Sequence, residues 1–129
     1  MDSVAYLDTH LVVWLYVQGD RAPITADVRK LLQEADDLRF SPMVRLELEY
    51  LFEIERIGAD SSAILDELNN SIGLQECDAP FAAVVAAGLE QKWTRDPFDR
   101  LIVAQAAIRE APLLTKDEAI RRHYARAVW

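Results

Sequence analysis

The chain has one cysteine, Cys77, and two histidines in 129 residues. A lone thiol closes no internal disulfide, and no Cys or His cluster has zinc spacing. That excludes both a disulfide scaffold and a structural zinc site. Glycine (4) and proline (5) are sparse and apolar residues make up 51%, which excludes a disordered chain. No uninterrupted apolar run reaches bilayer length, so no membrane association is expected. The apolar stretch from Val4 to Val17 has no basic leader, and Asp8 and His10 interrupt it, which argues against a secretory signal. A reducing, cytoplasmic setting is the expectation. Basic residues are also few, 14 against 22 acidic, for a net charge of −8. Such a chain does not draw nucleic acid through its overall field. Either its partner is basic, or its acids are concentrated where they hold metal ions that then meet phosphates. For most of the acids, solubility is role enough.

The length suits one domain, residues 1–129, with a core large enough to stand alone. Ser3-Val4-Ala5-Tyr6-Leu7 reads as a buried strand. A helix over 11–17 follows, closed by Gly19, and Thr25 opens a second helix with Val28, Leu31, Leu32 and Ala35 as its stripe. Residues 38–40 form a strand. Ser41-Pro42 then starts a helix that the pattern carries to Ile57, with Gly58 as its stop. Further helices are expected over 61–68, broken by Asn69-Asn70, and over 81–92, apolar nearly all round and so buried against the sheet. A weak strand is expected over 72–77. Asp96-Pro97 starts a helix to about Glu110, residues 112–115 form a strand, a last helix runs to about Ala125, and Val128-Trp129 can add an edge strand. Strands alternating with helices predict an α/β fold with a parallel sheet covered on both faces.

Acidic residues recur at the ends of these elements. Asp8 follows the first strand, and Asp117 follows the strand at 112–115 by two residues. Asp96 and Asp99 sit at a helix start. At roughly 100° per residue, Glu47 falls inside the apolar arc of its helix, between Ile54 and Leu51. Right-handed crossovers bring strand carboxyl ends and helix N-termini to one sheet edge. Asp8, Glu47, Asp99, Asp117 and Asp96 therefore converge. Plainer roles stand beside this reading. Asp8 and Asp96 suit helix caps, and Glu47 can pair with a buried arginine.

Converging carboxylates repel, and divalent cations resolve the repulsion. Mg²⁺ and Mn²⁺ favour oxygen ligands, and two such ions can activate water and stabilise the leaving oxygen of a phosphodiester. Arg95, Arg100 and Lys116 flank the acids and can bind phosphate, with solvation as their plainer role. Ser41 and Thr115 can bond metal waters, carboxylates or substrate, or simply cap helices.

Tyr6-Leu7-Asp8-Thr9-His10, Ser41 with Glu47 six residues on, Asp96-Pro97-Phe98-Asp99-Arg100-Leu101-Ile102-Val103-Ala104-Gln105-Ala106, and Leu114-Thr115-Lys116-Asp117 resemble the PIN-domain family. In particular they resemble VapC-type toxins of type II toxin–antitoxin pairs. The order and spacing of all four motifs carry the resemblance along nearly the whole chain. It implies a three-layer α/β/α fold with a central parallel sheet of about five strands. It implies a Mg²⁺- or Mn²⁺-dependent endoribonuclease with Asp8, Glu47 and Asp99 as core acids, Asp117 as a more variable fourth and Asp96 as an additional aspartate. It implies a homodimer and a cognate antitoxin whose basic tail suits the −8 charge. Two other readings stay open: a catalytically silent PIN-like module holding metal or a basic partner, and a metal-dependent phosphatase or phospho-acceptor domain. The latter lacks a second aspartate two residues after Asp8, where His10 stands.

Overall fold

The computed structural model describes residues 3–129. Five parallel strands form one sheet in the order β3-β2-β1-β4-β5. They are β1 (Val4–Leu7), β2 (Asp37–Phe40), β3 (Gln75–Glu76), β4 (Leu113–Leu114) and β5 (Ala127–Val128). Seven α-helices cover the sheet in a three-layer α/β/α arrangement: α1 (Thr9–Gln18), α2 (Ala26–Glu34), α3 (Pro42–Glu53), α4 (Ser61–Ile72), α5 (Phe81–Gly88), α6 (Pro97–Ile108) and α7 (Glu118–His123). The chain winds outward from β1 to β3, then crosses back to place β4 on the other side of β1. That reversal opens a crevice at the carboxyl ends of β1 and β4.

β1 is central and carries residues buried on both faces: Ala5, Tyr6 and Leu7. The Tyr6 hydroxyl lies 3.1 Å from the Cys77 Sγ, tying β1 to the segment after β3. Val28, Val44, Leu48, Ile64, Leu68, Ile102, Val103, Leu113, Leu114 and Ile120 complete the core. No helix among the described residues is long and apolar enough to cross a membrane.

Three helices depart from the expected bounds. α3 stops at Glu53, not Ile57. Glu55 takes φ 61°, and the Arg56 N–H bonds the Leu51 carbonyl, turning the chain away. α4 runs straight through Asn69-Asn70 to Ile72 and ends on Gly73 in the left-handed region. Asn69 is no breaker, because its Nδ2 donates to the Leu74 carbonyl beyond the helix end, at 3.0 Å. α5 is shorter than expected and is not buried all round. Val84 and Gly88 face inward, while Phe81 and Leu89 are 69% and 60% exposed. It packs against α6, where Gly88 lets Leu101 approach. Alanine-rich helices carry little contrast between faces, so their pattern cannot say which side is covered.

α3 begins on Ser41, whose hydroxyl accepts from the Met43 N–H at 3.1 Å and donates to the Gln105 Oε1 on α6 at 3.0 Å. Both residues are buried, and the Gln105 Nε2 finds no partner among the described residues. Ser41→Ala removes a cap and strands both ends of a buried amide, at a cost of about 2 kcal/mol. Gln105→Met removes the orphaned donor and should change stability by less than about 1 kcal/mol. In urea unfolding, the double variant should be less destabilised than the sum of the singles. Strict additivity would refute the coupling.

Candidate active site

The site grows from strand register. Tyr6 pairs with Leu113 and Leu7 with Leu114, so the next residues, Asp8 and Thr115, emerge side by side. The Asp8 N–H donates to the Leu114 carbonyl at 3.1 Å. The Asp8 carboxylate is buried, with one oxygen accepting from the Thr9 N–H at 2.8 Å and the other from the Thr115 hydroxyl at 2.6 Å. It caps α1 as well, so the capping role and the site role fall on one residue. Thr9 is wholly buried, and its hydroxyl donates to the Glu47 Oε1. Glu47 reaches this point from the second turn of α3. No arginine meets it: among the described residues the ion pairs are Arg39–Asp37 and Arg45–Glu76.

Asp96 and Asp99 come from the start of α6. Asp96 caps the helix, its Oδ1 accepting from the Phe98 N–H at 2.8 Å and the Asp99 N–H at 3.3 Å. Asp117 caps α7, accepting from the Ile120 N–H at 2.9 Å, while its own N–H bonds the Thr115 hydroxyl at 3.1 Å. Thr115 thus joins Asp8 to the start of α7.

Electrostatics tie these groups together. Burial and then the charges of Asp96, Asp8, Asp117 and Glu47 push Asp99 up to about 7. Burial also raises Glu47. Its Thr9 hydrogen bond offsets this, while Asp8 and Asp96 add to it. Asp8 is raised by burial, against the donors Thr115 and Thr9 and the nearby His10, and Asp117 raises it further. Asp8, Glu47 and Asp99 are thus each raised by the charge of other members of the five acids. They do not form a closed cage. Among the described residues no three His, Cys, Asp or Glu side chains gather into a ready metal-binding group. Repelling carboxylates keep apart and take neutral donors instead: two threonines and the helix-start N–H groups. The donor chemistry, several carboxylates in partly buried surroundings with no ion pair among the described residues, still fits a hard divalent cation.

The expected substrate contacts place differently. Ser41 and Thr115 are each 1% exposed, and their hydroxyls bond protein partners. Thr115 orients Asp8, and Ser41 locks α3 to α6. The Arg100 Nε donates to the Gly88 carbonyl at 3.2 Å, securing the α5–α6 joint. The Lys116 Nζ lies 5.6 Å from the centre of the Trp14 ring. The exposed Arg95 donates to the Lys92 carbonyl at 2.9 Å. Two residues were missed. Thr9 bridges two acids, and His10 sits near enough for its charge to lower both Asp8 and Glu47. A buried helix-start threonine directly after a strand-end aspartate was the available signal for Thr9.

The raised Asp99 sets a pH dependence. In the fold it keeps its proton above its ordinary value of 3.8. Its contribution to stability is thus full below that value and is lost as pH rises through about 7. With a chelator present, Asp99→Asn should match the parent protein near pH 4. It should exceed it by on the order of 1–2 kcal/mol at pH 8, discounted for solvent screening because the group is only partly buried. Equal pH profiles of thermal unfolding would contradict this.

Comparison with known proteins agrees with this architecture. The PIN-domain family model matches residues 5–126. Ribonuclease VapC22 of Mycobacterium tuberculosis is 30% identical over 126 residues, spanning 94% of this chain and 92% of that protein. The crystal structure of VapBC2 from Rickettsia felis, bound to a DNA fragment from their promoter, contains a chain of the same fold. The TM-score is 0.65 at 20% identity, covering 97% of this chain and 96% of that one. Matched by the family model from β1 through α7, and built on a five-stranded parallel sheet, the chain belongs to the PIN-domain family.

Proposed function

We propose that this chain is a metal-dependent endoribonuclease that acts as the VapC-type toxin of a type II toxin–antitoxin pair. The observation that carries the reading is the group of acids at the carboxyl ends of β1 and β4, which raise one another and, among the described residues, form no ion pair. The ribonuclease name of the M. tuberculosis relative supports it. Asp8, Glu47, Asp99 and Asp117 are the residues to hold Mg²⁺ or Mn²⁺, with Asp96 alongside. When bound, the metal neutralises the pocket, activates water and stabilises the leaving oxygen of the RNA phosphodiester. The chain's own part is positional. Thr9 and Thr115 hold Asp8 and orient Glu47, fixing which carboxylate oxygens face the pocket. Arg95 is exposed beside the acids and available to a phosphate.

The partners follow the same reading. A cognate antitoxin with a basic tail complements the acid pocket. Homodimerisation and the toxin–antitoxin hetero-oligomer are supported by exposed apolar side chains on α3 and α5, among them Leu46, Tyr50, Phe81 and Leu89. One observation favours a second reading, a silent module that holds a basic partner. Asp8 and Glu47 are already served by neutral donors, with no three acids gathered into a metal group.

Purified protein should cleave RNA with Mn²⁺ or Mg²⁺ and stop on chelation. Asp99→Asn should lower cleavage by more than about a hundredfold, since even residues supporting a metal ligand cost 10–100-fold. Full metal-dependent cleavage by Asp99→Asn would overturn its assignment, and tight partner binding without cleavage of any RNA would favour the silent module. Titrating Mn²⁺ into chelated protein should raise the melting temperature, by about 2.7 kcal/mol of stabilisation at a hundredfold excess over Kd. No shift at any concentration would refute metal binding.

A further inference from the structure

The net charge of −8 hides a partition. Residues 1–90 carry 17 acidic and six basic side chains, whereas residues 91–129 carry five acidic and eight basic. Three of those five acids, Asp96, Asp99 and Asp117, belong to the pocket. The surroundings supplied by the loop before α6 and by α7 are therefore cationic: Lys92, Arg95, Arg121 and Arg122 are all exposed.

Within this cationic region two aromatic rings lie face to face. Trp93 and His123 are parallel within 3°, with centroids 5.0 Å apart. Trp93 backs onto the core, and its indole N–H is fixed to the Gln91 Oε1 at 2.8 Å. His123 is exposed, its Nδ1 lying 2.9 Å from the Ala119 carbonyl one turn back. That bond holds the imidazole flat against the indole and leaves its outer face to solvent. The stack joins two segments that each end in the pocket. Trp93 precedes Asp96 by three residues, and α7 runs from its cap Asp117 to His123. At about 1.5 Å per residue, His123 stands roughly 9 Å along the helix from the acids.

A rigid aromatic surface flanked by cations is what sequence-tolerant recognition of unpaired bases requires, because every base has a π-face and every linkage a phosphate. A duplex keeps its bases stacked inside and offers no such face. We propose that the Trp93–His123 stack is a base-binding platform: an unpaired RNA nucleotide extends the stack on the open face of His123, with Lys92, Arg95, Arg121 and Arg122 available to its phosphates. This rests on the ribonuclease reading and says how the strand is seated there.

The test compares the parent protein with His123→Ala and His123→Phe. Binding of a fluorescein-labelled, randomised single-stranded RNA pool is measured by anisotropy with a chelator present, and cleavage is measured with Mn²⁺. Losing one base stack should weaken binding roughly tenfold and raise KM by a similar factor, with kcat little changed. His123→Phe should retain most of the parent affinity, and melting temperatures should confirm that both variants fold. Unchanged binding by His123→Ala, or a His123→Phe variant as weak as His123→Ala, overturns the platform. So does loss of a co-expressed partner protein on His123→Ala with RNA binding intact, which makes the stack a protein contact. The two readings fail separately. A parent protein that cleaves RNA, with His123→Ala equal to it in binding and KM, sinks the platform alone. A parent that binds RNA through His123 but cleaves none sinks the nuclease and leaves the platform.

Discussion

Carboxylates brought near one another without an ion-pair partner are held there against their own repulsion, and that constraint organises this protein. Asp8, Glu47, Asp96, Asp99 and Asp117 lie on four separate segments, yet each of Asp8, Glu47 and Asp99 is raised by the charge of others in the group. The cost falls on folding, since a buried charge without a partner is expensive. It is met by the least adjustable parts of the fold. Asp8 is fixed by the β1–β4 register, and Asp96 and Asp117 are fixed as helix caps. None of these can drift apart without unpairing a strand or uncapping a helix. Glu47 is the exception, a longer side chain restrained by one threonine hydroxyl.

The parallel sheet makes this arrangement possible. Its order, β3-β2-β1-β4-β5, leaves β1 and β4 adjacent with their connections leading to opposite sides. Elements after both strands then begin at the same crevice. Thr115 shows how tight the joint is. One hydroxyl donates to Asp8 and accepts from the Asp117 N–H, so a single side chain sets the spacing between two acids. Buried as it is, that hydroxyl serves the scaffold on both sides.

The positions of the acids were legible because each sits where local pattern changes. Asp8 ends an apolar run, Asp96-Pro97 starts a helix, and Glu47 interrupts an apolar arc. Such signals depend on neighbours in sequence and survive without tertiary knowledge. Capping by Ser41 and carboxylate bonding by Thr115 were among the roles legible in the sequence, but the choice among them, and the role of Arg100, were not. A hydroxyl or guanidinium near an acid motif can face solvent or scaffold, and only packing decides. The end of α3 at Glu53 and the continuation of α4 through Asn69 were hidden for a related reason. Each turns on one hydrogen bond to a residue outside the helical pattern. The exposure of Phe81 and Leu89 was hidden because α5 looks alike on every side.

The division of charge along the chain bears on how an acidic protein can approach an anionic polymer. A net −8 spread evenly would repel RNA at every approach, and screening would only soften this. Here the excess negative charge lies in residues 1–90, while α7 and the loop before α6 put cations beside the pocket. On the proposed reading, a strand arriving there meets exposed cations, whose field reaches about 8 Å at physiological salt. The pocket itself stays negative, which suits a small divalent ion better than a phosphate. On the proposed reading, attraction of the polymer and capture of the cation fall to different residues, separated by roughly the length of α7. One field could not do both, because the charge that draws the ion repels the strand.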